Sequence, residues 1–139
     1  MSFLSSLDIS GSALTAQKFR MRIIAQNLAN AHTTRAENGE PYRRKLTVMA
    51  QRVDGFKKEL GVALAGVEIT QVIEDGDDFK VEYDPGHPDA DEAGYVRLPN
   101  VNTLEEMVDM MSASRSYEAN VTAFNAMKQL ASTALNIGK

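Results

Sequence analysis

Two histidines, His32 and His87, are the side chains best suited to acid–base chemistry near neutral pH. His87 lies in a loop with four acidic residues that resemble the ligands of a hard cation: Asp84, Asp89, Asp91 and Glu92. Their order does not match an EF-hand loop, and Pro85 and Pro88 interrupt it. We interpret the segment as an acidic, solvated loop, with a cation-binding β domain as an alternative. His32 follows a predicted helix end, where we expect it to contact terminal carbonyls.

The other reactive residue types do not form a catalytic pattern. The chain has no cysteine, which excludes disulfides, thiolate catalysis and zinc–thiolate sites. Ser112, Ser114 and Ser116 lack the Gly-x-Ser-x-Gly turn of a nucleophile elbow. The sequence therefore predicts no enzymatic activity, no catalytic residue, no cofactor and no metal.

Charge is unevenly distributed along the chain. The formal net charge is −4, which argues against nucleic acid as the main partner. Residues 1–60 carry ten Lys and Arg against five Asp and Glu, whereas residues 61–139 carry five against fourteen. We hypothesise that a basic run contacts the acidic region 74–92 on adjacent subunits. The candidate residues are Arg43, Arg44 and Lys45 on one side and Asp75, Asp77 and Asp78 on the other.

The C-terminal segment Thr103–Ile137 predicts a long helix. It begins with Thr103-Leu104-Glu105-Glu106, the pattern of a capping box, and contains no Pro or Gly before Gly138. A row at alternating three- and four-residue steps is typical of a coiled-coil seam: Met107, Met110, Ser114, Tyr117, Val121, Phe124, Lys128, Ala131 and Leu135. At 1.5 Å per residue the helix would be about 50 Å long, more than one compact domain of this size would cover.

A second seam occupies the N-terminal segment. Leu7, Leu14, Met21 and Leu28 recur every seven residues, which predicts a helix over Ser5–Asn30. Because both terminal helices carry such a seam, we expect them to pair with each other as a two-helix coiled coil.

The middle of the chain changes to the two-residue period of β-strands. We predict strands over Tyr42–Arg52, Val67–Ile73, Phe79–Tyr83 and Gly94–Leu98, with a mobile loop over Val53–Gly66. The predicted fold is mainly α with a small insertion of three or four strands. It divides into an N-terminal helix (1–34), a β-rich middle segment with mobile loops (35–101) and a C-terminal helix (102–139).

No apolar run is long enough to span a bilayer, and the N-terminus lacks the pattern of a cleaved secretory signal. By these rules the protein would remain in the cytoplasm unless a specialised export route reads an uncleaved N-terminus.

Several motifs resemble those of the bacterial flagellar basal-body rod protein family, in particular its proximal rod proteins. They cover nearly the whole chain: Asp8–Gln17, Ala25–Thr33, Gly39–Arg43, Tyr83–Ala90, Gly94–Asn102 and Met110–Val121. Gln26 and His32 depart from the residues that are frequent in the family, without affecting the resemblance.

The resemblance implies a structural subunit of the periplasmic rod, exported by the flagellar type III apparatus without cleavage. Its implied partners are other rod proteins, copies of itself and the adaptor at the MS ring, with no direct membrane insertion. The rod would transmit torque from the MS ring to the hook. We expect these residues at subunit interfaces: Leu7, Leu14, Met21, Ile24, Asn27, Leu28, Asn30, Met107, Met111, Tyr117, Val121, Phe124 and Leu135. A stand-alone coiled-coil adaptor is the main alternative.

Overall fold

The structure is a computed structural model that describes residues 3–52 and 66–137. In chain order its elements are α1 (Phe3–Ala29), β1 (Lys45–Gln51), β2 (Val67–Glu74), β3 (Lys80–Tyr83), β4 (Tyr95–Leu98) and α2 (Thr103–Ile137). The predicted fold class is confirmed, with two long terminal helices and a small β region between them. The loop predicted over Val53–Gly66 lies, apart from Gly66, outside the described residues.

Polar side chains stop α1 after Ala29. The Asn30 N–H donates to the carbonyls of Gln26 and Asn27, and the Asn30 side-chain amide donates to the Gln26 carbonyl at 2.9 Å. These bonds satisfy carbonyls that the helix leaves without internal partners. The contact that the sequence assigned to His32 is therefore made by Asn30, and His32 is exposed.

The beginning of α2 corrects the predicted capping box. Asn102 acts as the N-cap, because its Oδ1 accepts from the Leu104 N–H at 3.2 Å and its carbonyl accepts from the Glu106 N–H. Glu106 does not return to the helix start. The Glu106 side chain is instead buried on the side of α2 that faces α1, in the polar cluster described below.

The four strands form two separate antiparallel pairs. In the first pair, β1 runs beside β2 from Lys45 opposite Glu74 to Gln51 opposite Val67, with an irregularity between Val48 and Met49. In the second, β3 pairs with β4 from Lys80 opposite Leu98 to Tyr83 opposite Tyr95.

Gly94 closes the second hairpin in a conformation that suits glycine. The φ of Gly94 is +83°, in the left-handed region that side chains with a Cβ rarely adopt. A Cβ there would also lie 2.9 Å from the Tyr83 ring. The same ring packs edge-to-face on Tyr95, with centroids 5.3 Å apart.

The two helices contact each other and run antiparallel, because Asn27 and Arg20 of α1 contact Glu106 and Asp109 of α2 in reverse order. Small residues lie in this contact face: Ala16 is 3% exposed and Ala113 is fully buried. Side chains this small let two helix backbones approach closely. The β1–β2 pair lies against α1, where the Val67 N–H donates to the Ser12 hydroxyl and Arg52 pairs with Asp8.

The fully buried position of Ala113 leaves no room for a larger side chain. Ala113→Leu should lower the free energy of unfolding by about 1–3 kcal/mol through overpacking. Ala119→Leu, at an exposed position of the same helix, should change it by less than about 0.5 kcal/mol. Urea denaturation followed by circular dichroism measures both, and equal losses would contradict close packing at Ala113.

Candidate functional site

A buried polar cluster joins the end of α1, the start of β1 and the start of α2. At its centre the Asn27 amide pairs with the backbone of Lys45, donating to the carbonyl at 2.9 Å and accepting from the N–H at 3.0 Å. Its oxygen also accepts from the Tyr42 hydroxyl at 2.9 Å, and its nitrogen also donates to Glu106 Oε2 at 3.0 Å. The amide thus makes all four hydrogen bonds that its chemistry allows.

Glu106 places a carboxylate inside this cluster, with 1% of its side chain exposed. Arg44 Nε donates to Glu106 Oε1 at 2.6 Å, a charge-assisted bond, while Asn27 occupies the other carboxylate oxygen. Arg44 also lies 3.5 Å from Asp75 and 3.8 Å from Asp109, and Arg20 lies 3.4 Å from Asp109. The ion pairs therefore connect both helices to the β1–β2 pair.

The cluster changes the acidity of two of its members. Burial, with smaller contributions from the charges of Glu106 and Glu74, raises the pKa of the Tyr42 phenol to about 12. Burial alone would lower the pKa of Arg44, but the hydrogen bond and charge of Glu106 outweigh it, and the pKa of the guanidinium is raised. Tyr42 is thus a permanent hydrogen-bond donor and Arg44 a permanent cation at neutral pH.

A second set of bonds fixes the turn after β2 against the cluster. Asn100 accepts from the Arg44 N–H at 2.8 Å and donates to the Asp77 carbonyl at 3.2 Å. Arg43 donates to the carbonyls of Asp75 and Asp77, both at 3.0 Å. The guanidinium of Arg43 also lies 4.4 Å from the centre of the Phe79 ring, and Arg97 lies 4.8 Å from the same centre. Phe79 is therefore in cation–π contact with both arginines.

The geometry is that of a structural junction, and comparison with known proteins identifies the family. Residues 7–36 match the family described as flagella basal body rod protein, and residues 92–137 match the C-terminal region of the flagellar basal body rod FlgEFG proteins. Flagellar basal-body rod protein FlgC of Bacillus subtilis (strain 168) is 49% identical over the full length of both chains. The chain belongs to the FlgC family of flagellar basal-body rod proteins.

Other relatives span distant bacteria. FlgC of Escherichia coli O157:H7 is 44% identical over the whole of both chains, and FlgC of Aquifex aeolicus (strain VF5) is 42% identical over 94% of this chain and 92% of its own. As a member of the FlgC family, the protein is a structural subunit of the basal-body rod. The resemblance seen in the sequence is thereby confirmed.

The structure distributes the predicted interface residues of this FlgC-family chain over three environments. Ile24 and Asn27 are buried within the subunit. Met107, Met111 and Leu135 are each more than half exposed. The others are partly buried: Leu7, Leu14, Met21, Leu28, Asn30, Tyr117, Val121 and Phe124. Their role between subunits stays a prediction, and for Asn27 the bonds described here lie within one chain.

The predicted basic and acidic segments meet inside the subunit. Arg44 pairs with Asp75, whereas Arg43 binds the carbonyls of Asp75 and Asp77, not their carboxylates. Arg44 therefore has acidic partners within the subunit, and the contact predicted between subunits stays a prediction. Lys45 lies 5.8 Å from the centre of the Tyr42 ring, and Asp78 is exposed.

Sequence reasoning missed the cluster itself because Glu106 was assigned to a helix cap. A signal was available: Glu106, Met110 and Ala113 recur at four- and three-residue steps, which places Glu106 on the face toward α1. Tyr42 and Asn100 gave no comparable signal, since both lie in irregular segments.

The acidic residues around His87 are engaged in turns. Asp84 and Asp91 accept backbone N–H groups of their own loop, His87 Nδ1 accepts from the Asp89 N–H, and Asp89 accepts from the Thr34 hydroxyl. Within the described residues, no three His, Asp or Glu side chains come together as a metal site. Neither helix, over the part of the chain described, is long and apolar enough to cross a membrane.

The Arg44–Glu106 pair predicts strong coupling. Arg44→Met should cost about 3–5 kcal/mol in unfolding free energy, because it leaves the Glu106 carboxylate buried without its cation. Glu106→Gln in the Arg44→Met background should recover part of that loss. Chemical denaturation of both single variants and the double variant gives the coupling energy. Arg115→Met at an exposed position is the control, and additive losses would contradict the pair.

The raised pKa of Tyr42 predicts alkaline sensitivity. The unfolded chain loses the phenol proton near pH 10, whereas the folded chain keeps it to about pH 12. Stability should therefore fall as pH rises from about 10 to 12, because the unfolded state binds fewer protons there. Ultraviolet absorbance should show one of the four tyrosines ionising last. Tyr42→Phe should remove that late step, and its persistence would assign it to another tyrosine.

Proposed function

We propose that the chain polymerises through its terminal helices into the axial shaft that transmits torque from the MS ring to the hook. One observation carries this proposal. α2 lies against α1 on one face, yet presents exposed apolar side chains on another: Leu104, Met107, Val108 and Met111. A helix that is apolar on two faces is stable in water only if both become covered. Further helices in an assembly would cover the second face.

The polar cluster supports a mechanical role. Torque has to pass between neighbouring subunits without changing the arrangement of elements within each one. Asn27, Arg44 and Glu106 hold α1, β1 and α2 through bonds of defined direction and length, in a region largely shielded from water. Directional bonds resist sliding and rotation, which apolar contacts alone permit at low cost.

Family membership supports the wider setting. We propose a place in the periplasmic part of the basal body, after export by the flagellar type III apparatus without a cleaved signal. The proposed partners are other rod proteins, copies of this chain and the adaptor at the MS ring. We assign no catalytic activity and no cofactor to the chain.

The helix seam is the proposed basis of assembly. Leu7, Leu14, Met21 and Leu28 on α1 would pack with Val121, Phe124 and Leu135 on α2, within or between subunits. Leu135 is 75% exposed in the single chain and has the most area to bury on assembly. Burial of apolar surface would supply the driving force.

Val121→Asp tests the seam. Placing a carboxylate at this partly buried position should abolish rod assembly, because assembly would bury an unpaired charge. Swimming in soft agar and the presence of the chain in purified basal bodies measure the effect in cells that produce only the variant.

Thr122→Asp is the matched control, since the neighbouring residue is exposed and faces away from the seam. It should assemble and support swimming. Normal motility of the Val121→Asp strain would overturn the proposed role of the seam, and absence of the unchanged chain from basal bodies would overturn the function.

A further inference from the structure

Strand β3 has an open edge, whereas the outer edge of its partner β4 is occupied. All four residues of β3, Lys80–Tyr83, are exposed, and among the described residues no further strand lies beside it. At the outer edge of β4, the Asp91 N–H donates to the Tyr95 carbonyl at 2.9 Å and Asp91 Oδ1 accepts from the Tyr95 N–H at 2.8 Å. An open strand edge is a template for pairing with another strand.

The hydrogen bonds of the hairpin show which backbone groups of β3 point to the open edge. The Asp84 N–H donates to the Gly94 carbonyl at 3.0 Å, and bonding directions alternate along an antiparallel strand. Glu82 therefore bonds toward β4, while the N–H and C=O groups of Val81 and Tyr83 point away from it. A strand added at the open edge would bond to Val81 and Tyr83.

The two faces of β3 differ in chemistry. Val81 and Tyr83 lie on one face and are 63% and 64% exposed, and Tyr95 of β4 packs on Tyr83 there. Lys80 and Glu82 lie on the other face and are also exposed. Natural proteins commonly protect an open edge with proline, a bulge or charged side chains. β3 contains no proline and no bulge, and its two charges are opposite in sign.

We propose that β3 of one copy pairs antiparallel with β3 of a second copy, with Val81 opposite Val81. In this register Lys80 lies opposite Glu82 of the second copy, and Glu82 lies opposite Lys80, so both charges are paired. Phe79 comes opposite Tyr83, which extends the apolar face across the contact. Two hairpins become one four-stranded sheet, which is more stable than an isolated pair of strands.

The neighbouring registers are less suitable. Registers centred on Phe79, Val81 or Tyr83 bring together the backbone groups that point to the open edge. Centring on Tyr83 places Pro85, which has no N–H, opposite Val81. Centring on Phe79 places Val81 opposite Asp77, whose N–H and carbonyl are already bonded within the subunit. The register centred on Val81 avoids both conflicts.

The symmetry of this contact separates it from the rod. A contact between two identical strands in antiparallel order is two-fold, so the two copies point in opposite directions. Copies in a shaft that runs from the MS ring to the hook all point the same way. The contact therefore belongs to the free subunit, which shields its open strand edge by dimerising. This inference goes beyond the proposed function and does not depend on it.

Engineered cysteines test the register. The chain has no cysteine of its own, so introduced thiols are the only ones present. Full-length Lys80→Cys and Glu82→Cys chains are mixed at high concentration, because the contact is small, and then oxidised. The register places the two thiols directly opposite each other, within reach of a disulfide, and keeps the second Lys80–Glu82 pair. Crosslinked heterodimers should form severalfold more than in a mixture of Lys80→Cys with Thr122→Cys, at an exposed position of α2.

Charge reversal tests the complementarity, with the dimer fraction measured by sedimentation equilibrium. The Lys80→Glu chain and the Glu82→Lys chain should each dimerise severalfold less than the unchanged chain, because like charges then face each other. An equimolar mixture of the two should regain the lost association, since each charge again meets its opposite. Glu118→Lys, at an exposed position of α2, is the matched control and should leave the dimer fraction unchanged. Circular dichroism of each variant before mixing controls for folding.

Three results would overturn the contact. The first is an unchanged chain that stays monomeric at the highest concentration reached. The second is an equal yield of crosslinked heterodimers with Glu82→Cys and with Thr122→Cys. The third is association at the same level in the unchanged chain and in both charge variants, which would place the contact on another surface. The rod function is tested separately by the presence of the chain in basal bodies, so the two proposals can fail independently.

Discussion

Glu106 is almost fully buried in the first turn of α2, and its negative charge has to be compensated inside the protein. Arg44 and Asn27 provide that compensation from two other segments, at 2.6 and 3.0 Å. The end of α1, the start of β1 and the start of α2 must therefore come together for any one of them to be satisfied. A buried ion pair adds little net stability compared with apolar residues of the same size. Its effect here is specificity, because other arrangements of the three segments leave a charge or an amide without a partner.

The two ends of the helix pair differ in how completely they are built. Around Asn27 and Glu106, hydrogen bonds and ion pairs connect both helices with the strands. Toward the end of α2, Met127 and Ala131 are only partly buried, and most side chains around them are exposed. Helical segments with few buried contacts open easily, so the end of α2 should be the least stable part of the described helix. The subunit thus combines a base fixed by directional bonds with a helix end that has few stabilising contacts of its own.

Local sequence patterns predicted the elements well and their connections poorly. The three- and four-residue steps around Tyr117 and the alternation in Val67–Ile73 have physical causes within one segment, and the corresponding helix and strand are present. The pairing of strands into two separate sheets depends on contacts between segments, which those patterns do not contain. Asn27 and Glu106 are 79 residues apart, and a Glu near a helix start suits a cap as well as a buried pair. Only the register between the helices decides between these roles.

Under the proposed function, a subunit that transmits torque has to keep the same register between its helices. The face between α1 and α2 includes small residues such as Ala16 and Ala113, and small side chains provide little interlocking against a shift along the helix axis. A shift by one turn would replace one set of small contacts with a similar set at low cost. The same shift would separate Asn27 from Glu106 and Arg20 from Asp109, because a hydrogen bond does not survive a displacement of about 5 Å. The polar pairs thus supply the resistance to sliding that the apolar seam lacks, and the seam supplies the apolar area that the polar pairs lack.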